Sequence, residues 1–252
     1  MKGVFAMQRL KNLVRKIVYK ENAFSETLVK YLRERGAKIG TDVTIYAPNK
    51  TLIDKTSPYL LTIGNHVRIA EGVKILTHDY SWSVLKCYSS EKIESGSILG
   101  CQRSVEIGNN VFIGMNAIIT CGVNIGDNVI IGAGSVVTRD CESNGVYAGV
   151  PAKWIMHIEE FYAKRKASQF EEAKEIAVRC REAFGIMPSK DVFNEYFMLF
   201  AQRDEADKTS SFLRQMHTSQ NYEECALYML SHEPMFENFE AFLNACYNEG
   251  VS

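Results

Sequence analysis

The sequence is short of several things that would place it in a common functional class. An excess of one charge is missing: 29 Lys and Arg stand against 30 Asp and Glu, a net charge of −1, so no bulk basic surface for nucleic acid is expected. The seven cysteines are an odd number without close pairing, which argues against a disulfide framework and for a reducing compartment. Cys101, Cys121 and Cys141 are evenly spaced, match no compact metal knuckle, and read as small core residues. No stretch reaches the roughly 20 apolar residues of a membrane helix. The chain therefore reads as soluble and cytoplasmic, with membrane contact at most peripheral. A Gly-x-Gly-x-x-Gly turn after a strand, a Walker A loop and a nucleophile-elbow serine are all absent.

What the sequence does have is a strict period of six. Ile107, Ile113, Ile119, Ile125, Ile131 and Val137 form one column, followed directly by Gly108, Gly114, Gly126 and Gly132, with Thr120 and Thr138 in the other two hexads. A second small or aliphatic residue recurs four places after the column, at Val111, Ala117, Val123, Val129 and Ser135. Helices repeat near 3.6 and strands near 2, so neither alone gives six. A parallel β-helix does: each hexad supplies one short strand and one corner, and three hexads close a triangular coil. The column residues stack inward, and glycine suits the tight corner beside them.

The rest of the chain is arranged around this solenoid. Residues 1–36 read as an N-terminal helical cap, with Leu10, Leu13, Val14, Ile17 and Val18 at helical spacing, basic residues on other faces, and Gly36 as the stop. This basic amphipathic piece can touch an anionic membrane or glycolipid; a lid over the solenoid end is the favoured reading. Residues 37–156 carry the hexads, faint at Ile39 and Ile45, lapsing through Asn49 to Tyr59, and resuming at Ile63, Ile69 and Ile75. The column returns at Ile107 out of phase, so a loop of about residues 79–97 is thrown out of the coil, and its aromatics favour an ordered, packed loop. Residues 157–252 form a helical appendage with helices expected over 170–184, 191–202, 209–217, 222–230 and 236–247, the second carrying an aromatic stripe of Phe193, Tyr196, Phe197 and Phe200. No catalytic constellation is visible there; capping, assembly or an unknown partner are its candidate roles.

Of five histidines only His66 and His78 fall in the solenoid. They lie twelve residues apart, hence on different faces of an eighteen-residue coil, and zinc needs converging ligands, so no metal is expected. His66 reads as an exposed coil residue. His78 sits where the coil gives way to the loop, in ILTHDYSW, where an imidazole can accept a proton near neutral pH. Asp79 can orient it, provided the backbone is irregular there. The plain alternative is a turn histidine bonded to a carbonyl.

The run IGNNVFIGMNAIITCGVNIGDNVIIGAGSVVTRD with GVPAKWI, preceded by SPYLLTIGNHVRIAEGVKILTHDYSW, resembles the hexapeptide-repeat acyltransferases, in particular their sugar O-acetyltransferase branch of galactoside, maltose and capsular or lipopolysaccharide enzymes. The likeness covers roughly residues 36–156. It implies a mainly β fold, a left-handed parallel β-helix, and a homotrimer with acetyl-CoA between neighbouring solenoids. It also implies a sugar or glycan acceptor, His78 as general base and Asp79 as its assistant. Met115 and Ala133, beside Gly114 and Gly132, match positions that hold pantetheine; Thr138, Arg139 and Lys153 match the nucleotide end. Phe112 replaces a tryptophan common in the family, and Met156 stands where some relatives have a basic residue. An N-acetyltransferase of a nucleotide-linked amino sugar, or a non-catalytic scaffold, remain as alternatives. No cysteine matches a nucleophile position, so a ternary-complex mechanism is expected.

Overall fold

In the computed structural model, residues 2–247 are described, and they divide into two compact units at the junction between Phe161 and Tyr162. The first unit opens with α1 (Lys2–Tyr19), a 3-10 turn (Lys20–Ala23) and α2 (Ser25–Arg33), after which Gly36 takes a positive φ and the coil begins.

Four coils follow, each of three short strands. They are β1 (Lys38–Ile39), β2 (Thr44–Ile45) and β3 (Leu52–Ile53); β4 (Leu61–Ile63), β5 (Arg68–Ile69) and β6 (Lys74–Ile75); β7 (Val105–Ile107), β8 (Phe112–Ile113) and β9 (Ile118–Ile119); and β10 (Asn124–Ile125), β11 (Ile130–Ile131) and β12 (Val136–Val137). Stacking gives three parallel faces. The first is β1-β4-β7-β10, with Ile39, Ile63, Ile107 and Ile125 in register. The second stacks Ile45, Ile69, Ile113 and Ile131, and the third stacks Ile53, Ile75, Ile119 and Val137. Most of these side chains are almost fully buried in one continuous core. The column therefore does what its period demands. It also runs through Ile53, hidden in the sequence because that corner carries two extra residues.

One corner of the triangle repeats a left-handed residue: Asp42, His66, Asn110, Asn128 and Asn144 all have positive φ, a conformation that Asn and Asp tolerate best. Their amides ladder along the axis, Asn110 Nδ2 to Asn128 Oδ1 at 2.9 Å and Asn128 Nδ2 to Asn144 Oδ1 at 2.8 Å.

The lid over the first coil is α2. Leu28, Val29 and Leu32 join the coil core, and Ser25 Oγ accepts the N–H of Ile45 at 2.9 Å. The expected capping role does not extend to the described part of α1, where Met7, Leu10, Leu13, Val14, Ile17 and Val18 stay exposed. At the far end, β13 (Gly145–Ala148) continues the second face, and β14 (Lys153–His157) folds back antiparallel onto it.

The second unit contains most of α3 (Ile158–Phe184), then α4 (Arg203–Lys208), α5 (Ser210–Met216), α6 (Tyr222–Ser231) and α7 (Phe239–Tyr247). The expected helix over 191–202 is instead two 3-10 turns, Lys190–Phe193 and Phe197–Leu199. A 3-10 turn eclipses residues three apart, so an aromatic stripe of that spacing fits either form. Phe193, Phe197, Phe200, Phe212 and Phe242 make its core. Helix outweighs strand in residue number, so the expectation of a mainly β chain holds for the coil alone.

Candidate active site

His78 lies just after β6, where the third face turns back toward the first. One coil earlier, the residue that leaves β3 is Asp54, and stacking sets the two side by side: His78 Nδ1 is 2.5 Å from Asp54 Oδ2. The Asp54 side chain is 3% exposed and that of His78 is 42%. Asp54 Oδ2 also accepts the Thr77 hydroxyl at 2.6 Å, and Oδ1 accepts the Thr56 N–H at 2.9 Å. Burial alone pushes this carboxyl up, but the hydrogen bonds from Thr77, Thr56 and His78 outweigh it and hold its pKa well below the ordinary carboxylate value. An anionic acceptor at Nδ1 fixes the hydrogen there and leaves the Nε2 lone pair free. The pair opens onto a cleft of 550 Å³ walled by Asn22, Asn49, Lys50, Leu52 and Lys55.

The carboxylate bonded to His78 is therefore Asp54, not the adjacent Asp79. Asp79 instead accepts the N–H of Ser81 at 2.8 Å and its hydroxyl at 2.9 Å, which lower its pKa. Its N–H donates to Cys101 O at 3.0 Å, and Arg103 N–H donates to Thr77 O at 3.0 Å, so the two ends of the excursion are tied together beside His78. Between them the loop carries a 3-10 turn, Ser81–Lys86, with no buried residue. Tyr80 and Trp82 pack on each other at 4.8 Å, while Tyr80, Val84, Ile98 and Leu99 are exposed, so the packed loop expected from its aromatics is packed only on itself. Of the evenly spaced cysteines, Cys141 alone is buried, its thiol pushed up to about 12 by burial. Cys101 and Cys121 are half-buried with their sulfurs 3.7 Å apart.

The positions matched to the donor fall in two groups. Gly114, Met115, Gly132 and Ala133 share the corner between the second and third faces, where Met115 O accepts the Gly134 N–H at 2.7 Å. A Cβ on Gly114 would lie 2.5 Å from Ala133 N, so the coils approach too closely there for any side chain. Phe112 is exposed on the second face, paired with Ile130. Thr138 and Arg139 leave β12 as His78 leaves β6, along the same corner two coils on, or about 10 Å at the usual strand spacing. Lys153 is exposed at the start of β14, next to Ala152, whose N–H donates to Val136 O at 2.8 Å. His78 and the Met115–Ala133 corner therefore sit on opposite edges of the third face, a hexad or about 20 Å of chain apart. Among the described residues no cluster suited to a metal occurs.

Asp54 is the partner of His78 that the sequence hides. It lies 24 positions before His78, in the stretch where the hexads lapse, and only the turn of the coil joins them. The near-signal was the column residue Ile53 directly before it.

Comparison with known proteins bears on this geometry. Residues 104–139 match the family described as bacterial transferase hexapeptide (six repeats). The chain is 43% identical over 134 residues to Protein CapG of Staphylococcus aureus, covering 53% of this chain and 73% of CapG. It is 37% identical over 141 residues to the galactoside O-acetyltransferase of Escherichia coli (strain K12), covering 56% of this chain and 63% of that protein. Among solved structures, a maltose O-acetyltransferase from Clostridium difficile 630 is 25% identical with a TM-score of 0.41, covering 61% of this chain and 88% of that one. The chain belongs to the bacterial hexapeptide-repeat transferases, and its triangular coil is the left-handed parallel β-helix of that family.

Proposed function

We propose that the protein transfers an acetyl group from acetyl-CoA to a hydroxyl of a sugar or surface-glycan precursor, with His78 as general base. The observation that carries this reading is the Asp54–His78 pair at the mouth of the cleft. Asp54 keeps Nδ1 protonated and can stabilise the imidazolium formed when Nε2 takes the acceptor's proton. The hydroxyl oxygen attacks the thioester carbonyl, the C–S bond breaks, and the departing CoA thiolate recovers a proton from His78. Backbone N–H groups serve the oxyanion, and binding both substrates in one place makes the attack local. Amide and ammonium groups of Asn22, Asn49, Lys50 and Lys55 at the cleft suit a polyhydroxylated acceptor. The acetyl donor is supported by the galactoside O-acetyltransferase likeness and by the residues matched in the family pattern.

On this reading Met115 and Ala133, flanked by Gly114 and Gly132 with Phe112 nearby, hold pantetheine by backbone contact, and Thr138, Arg139 and Lys153 meet the nucleotide phosphates. Because the pantetheine corner and His78 lie on opposite edges of one face, a single chain does not unite them. A second copy supplies the missing edge, and the homotrimer implied by the family resemblance is the assembly in which each site is completed that way. Asp79 acts on His78 through charge and loop geometry, not by hydrogen bond.

The test is thiol release from acetyl-CoA with a panel of hydroxyl and amino sugars. His78→Ala should lower kcat by about 10²–10⁴. Asp54→Asn should cost a smaller share of the same loss, since it leaves the base in place without its orienting charge. Retention of near-normal kcat by His78→Ala sinks the mechanism, and turnover of amino sugars alone moves the acceptor to nitrogen.

A further inference from the structure

The feature left unexplained by the catalytic reading is α1. Leu10, Leu13, Val14, Ile17 and Val18 are between 51% and 68% exposed, although their spacing is that of a buried helix face. Advancing by about 100° per residue, these five with Met7 fill one continuous arc. Lys11 and Arg15 border that arc on one side, and Arg9 and Lys16 on the other. Gln8 and Asn12 lie opposite. Lys2–Tyr19 contains no Asp or Glu at all.

We propose that α1 is a surface anchor for an anionic lipid bilayer, lying in the interfacial plane with its apolar arc inserted. Basic residues at both borders are where long cationic side chains can bury their stems and lift their charge to the headgroups. The same distribution speaks against a second copy as the occupant, because apposed α1 helices would bring like charges together with no carboxylate to offset them. Leu10, Val14 and Val18 also wall an open groove of 590 Å³ with Lys11 and Arg15 on its rim, an arrangement suited to an acyl chain and its phosphate. Arg15 packs over the Phe24 ring at 5.0 Å and so ties this face to the body of the unit. Asn49 lines both this groove and the His78 cleft, so a bilayer held by α1 lies beside the acceptor entrance. Acceptors carried on a membrane lipid would be presented there. Binding itself does not depend on the acetyl-transfer reading, so either can fail without the other.

The experiment is sedimentation of the full chain with sucrose-loaded vesicles, phosphatidylglycerol mixed with phosphatidylcholine against phosphatidylcholine alone, at low and high salt. Light scattering and thermal unfolding are measured in parallel. The protein should partition to the anionic vesicles and release at high salt. Replacing Arg9, Lys11 and Lys16 together by Gln should weaken that partition about a hundred-fold. Leu13→Glu with Ile17→Glu should weaken it at least as much, with unfolding unchanged because both sites are exposed. Absence of binding, or equal binding to neutral vesicles, overturns the proposal. So does a change in oligomer mass in the Leu13→Glu, Ile17→Glu variant without any change in vesicle binding, which would make the face a contact between copies.

Discussion

In the coil, a buried isoleucine meets the same residue type one coil above and one below: Ile69, Ile113 and Ile131 stack in register on one face. In the C-terminal unit, Phe200 meets Phe193, Phe212, Phe239 and Phe242, contributed by separate turns and helices and inclined to one another by 32° to 87°. The first core is specified by repetition, the second by shape. Repetition makes the coil readable in a few hexads and ties each side chain's role to its place in the period. The Asp54–His78 contact depends on that property, since the two residues occupy neighbouring coils at one corner.

The comparison is tested most severely by truncating one residue in each core. Phe200→Ala should cost about 3–5 kcal/mol and Ile113→Ala about 2–5 kcal/mol, from lost burial and the cavity left behind. Thermal unfolding would measure both, and acetyl transfer would separate them. Phe200→Ala should retain kcat at low temperature, while Ile113→Ala should lower the temperature at which activity is lost. Loss of turnover in folded Phe200→Ala would join the two regions into one functional body. Glycines give a smaller contrast. A Cβ on Gly64 would lie 2.6 Å from Gly108 O in the next coil, whereas Gly185, at φ +68°, has open space around it. Gly64→Ala should cost about 1–3 kcal/mol through steric crowding, and Gly185→Ala about 1–2 kcal/mol through backbone conformation alone. Equal costs with equal recovery on cooling would erase the distinction.

The mildest contrast is in acid. Glu172 accepts both arms of Arg165, at 2.6 and 2.7 Å, and the Tyr196 hydroxyl, and Arg165 above all takes its pKa from 4.5 to about 2. A folded pKa below the unfolded one gives stability that is present above the unfolded value and lost as pH falls through the folded one. The stability difference between the wild type and Glu172→Gln should therefore shrink between pH 4.5 and about 2. Asp54 is lowered further still, so its contribution in the coil should persist to more acid pH than that of Glu172. Chemical denaturation across that range would show the two losses in sequence; a simultaneous loss would contradict the assignment.

The same contrast explains what could be read from the residues alone. The solenoid was legible because its period is translational: Ile107 predicts Ile113, and so on to Val137. The lid was legible as a helix, but not which helix, because α1 and α2 both carry helical apolar spacing and only packing distinguishes Leu28 from Leu13. Asp54 was not legible, since it sits after an irregular corner and its partner is far along the chain. The turns around Phe193 and Phe197 read as one helix in the sequence because spacings of three and four fit both forms over so short a stretch. Sequence period reports on local geometry; the carboxylate at His78 is a consequence of stacking.

The segment after β12 carries a consequence for the size of the whole stack. It visits all three faces in turn: Gly126 N–H donates to Cys141 O, β13 lies along β11, and Val136 is bonded on both sides, to Gly149 O and from Ala152 N–H. β14 then runs the opposite way, with a register shift between Val146 and Tyr147 and a charged first residue, Lys153. Parallel rungs whose outer edge stays bare invite another chain to add on, and growth of that kind has no natural end. On the second face the chain supplies its own terminator, a strand of the wrong direction laid over β13, so on that face the stack is ended by the polypeptide itself.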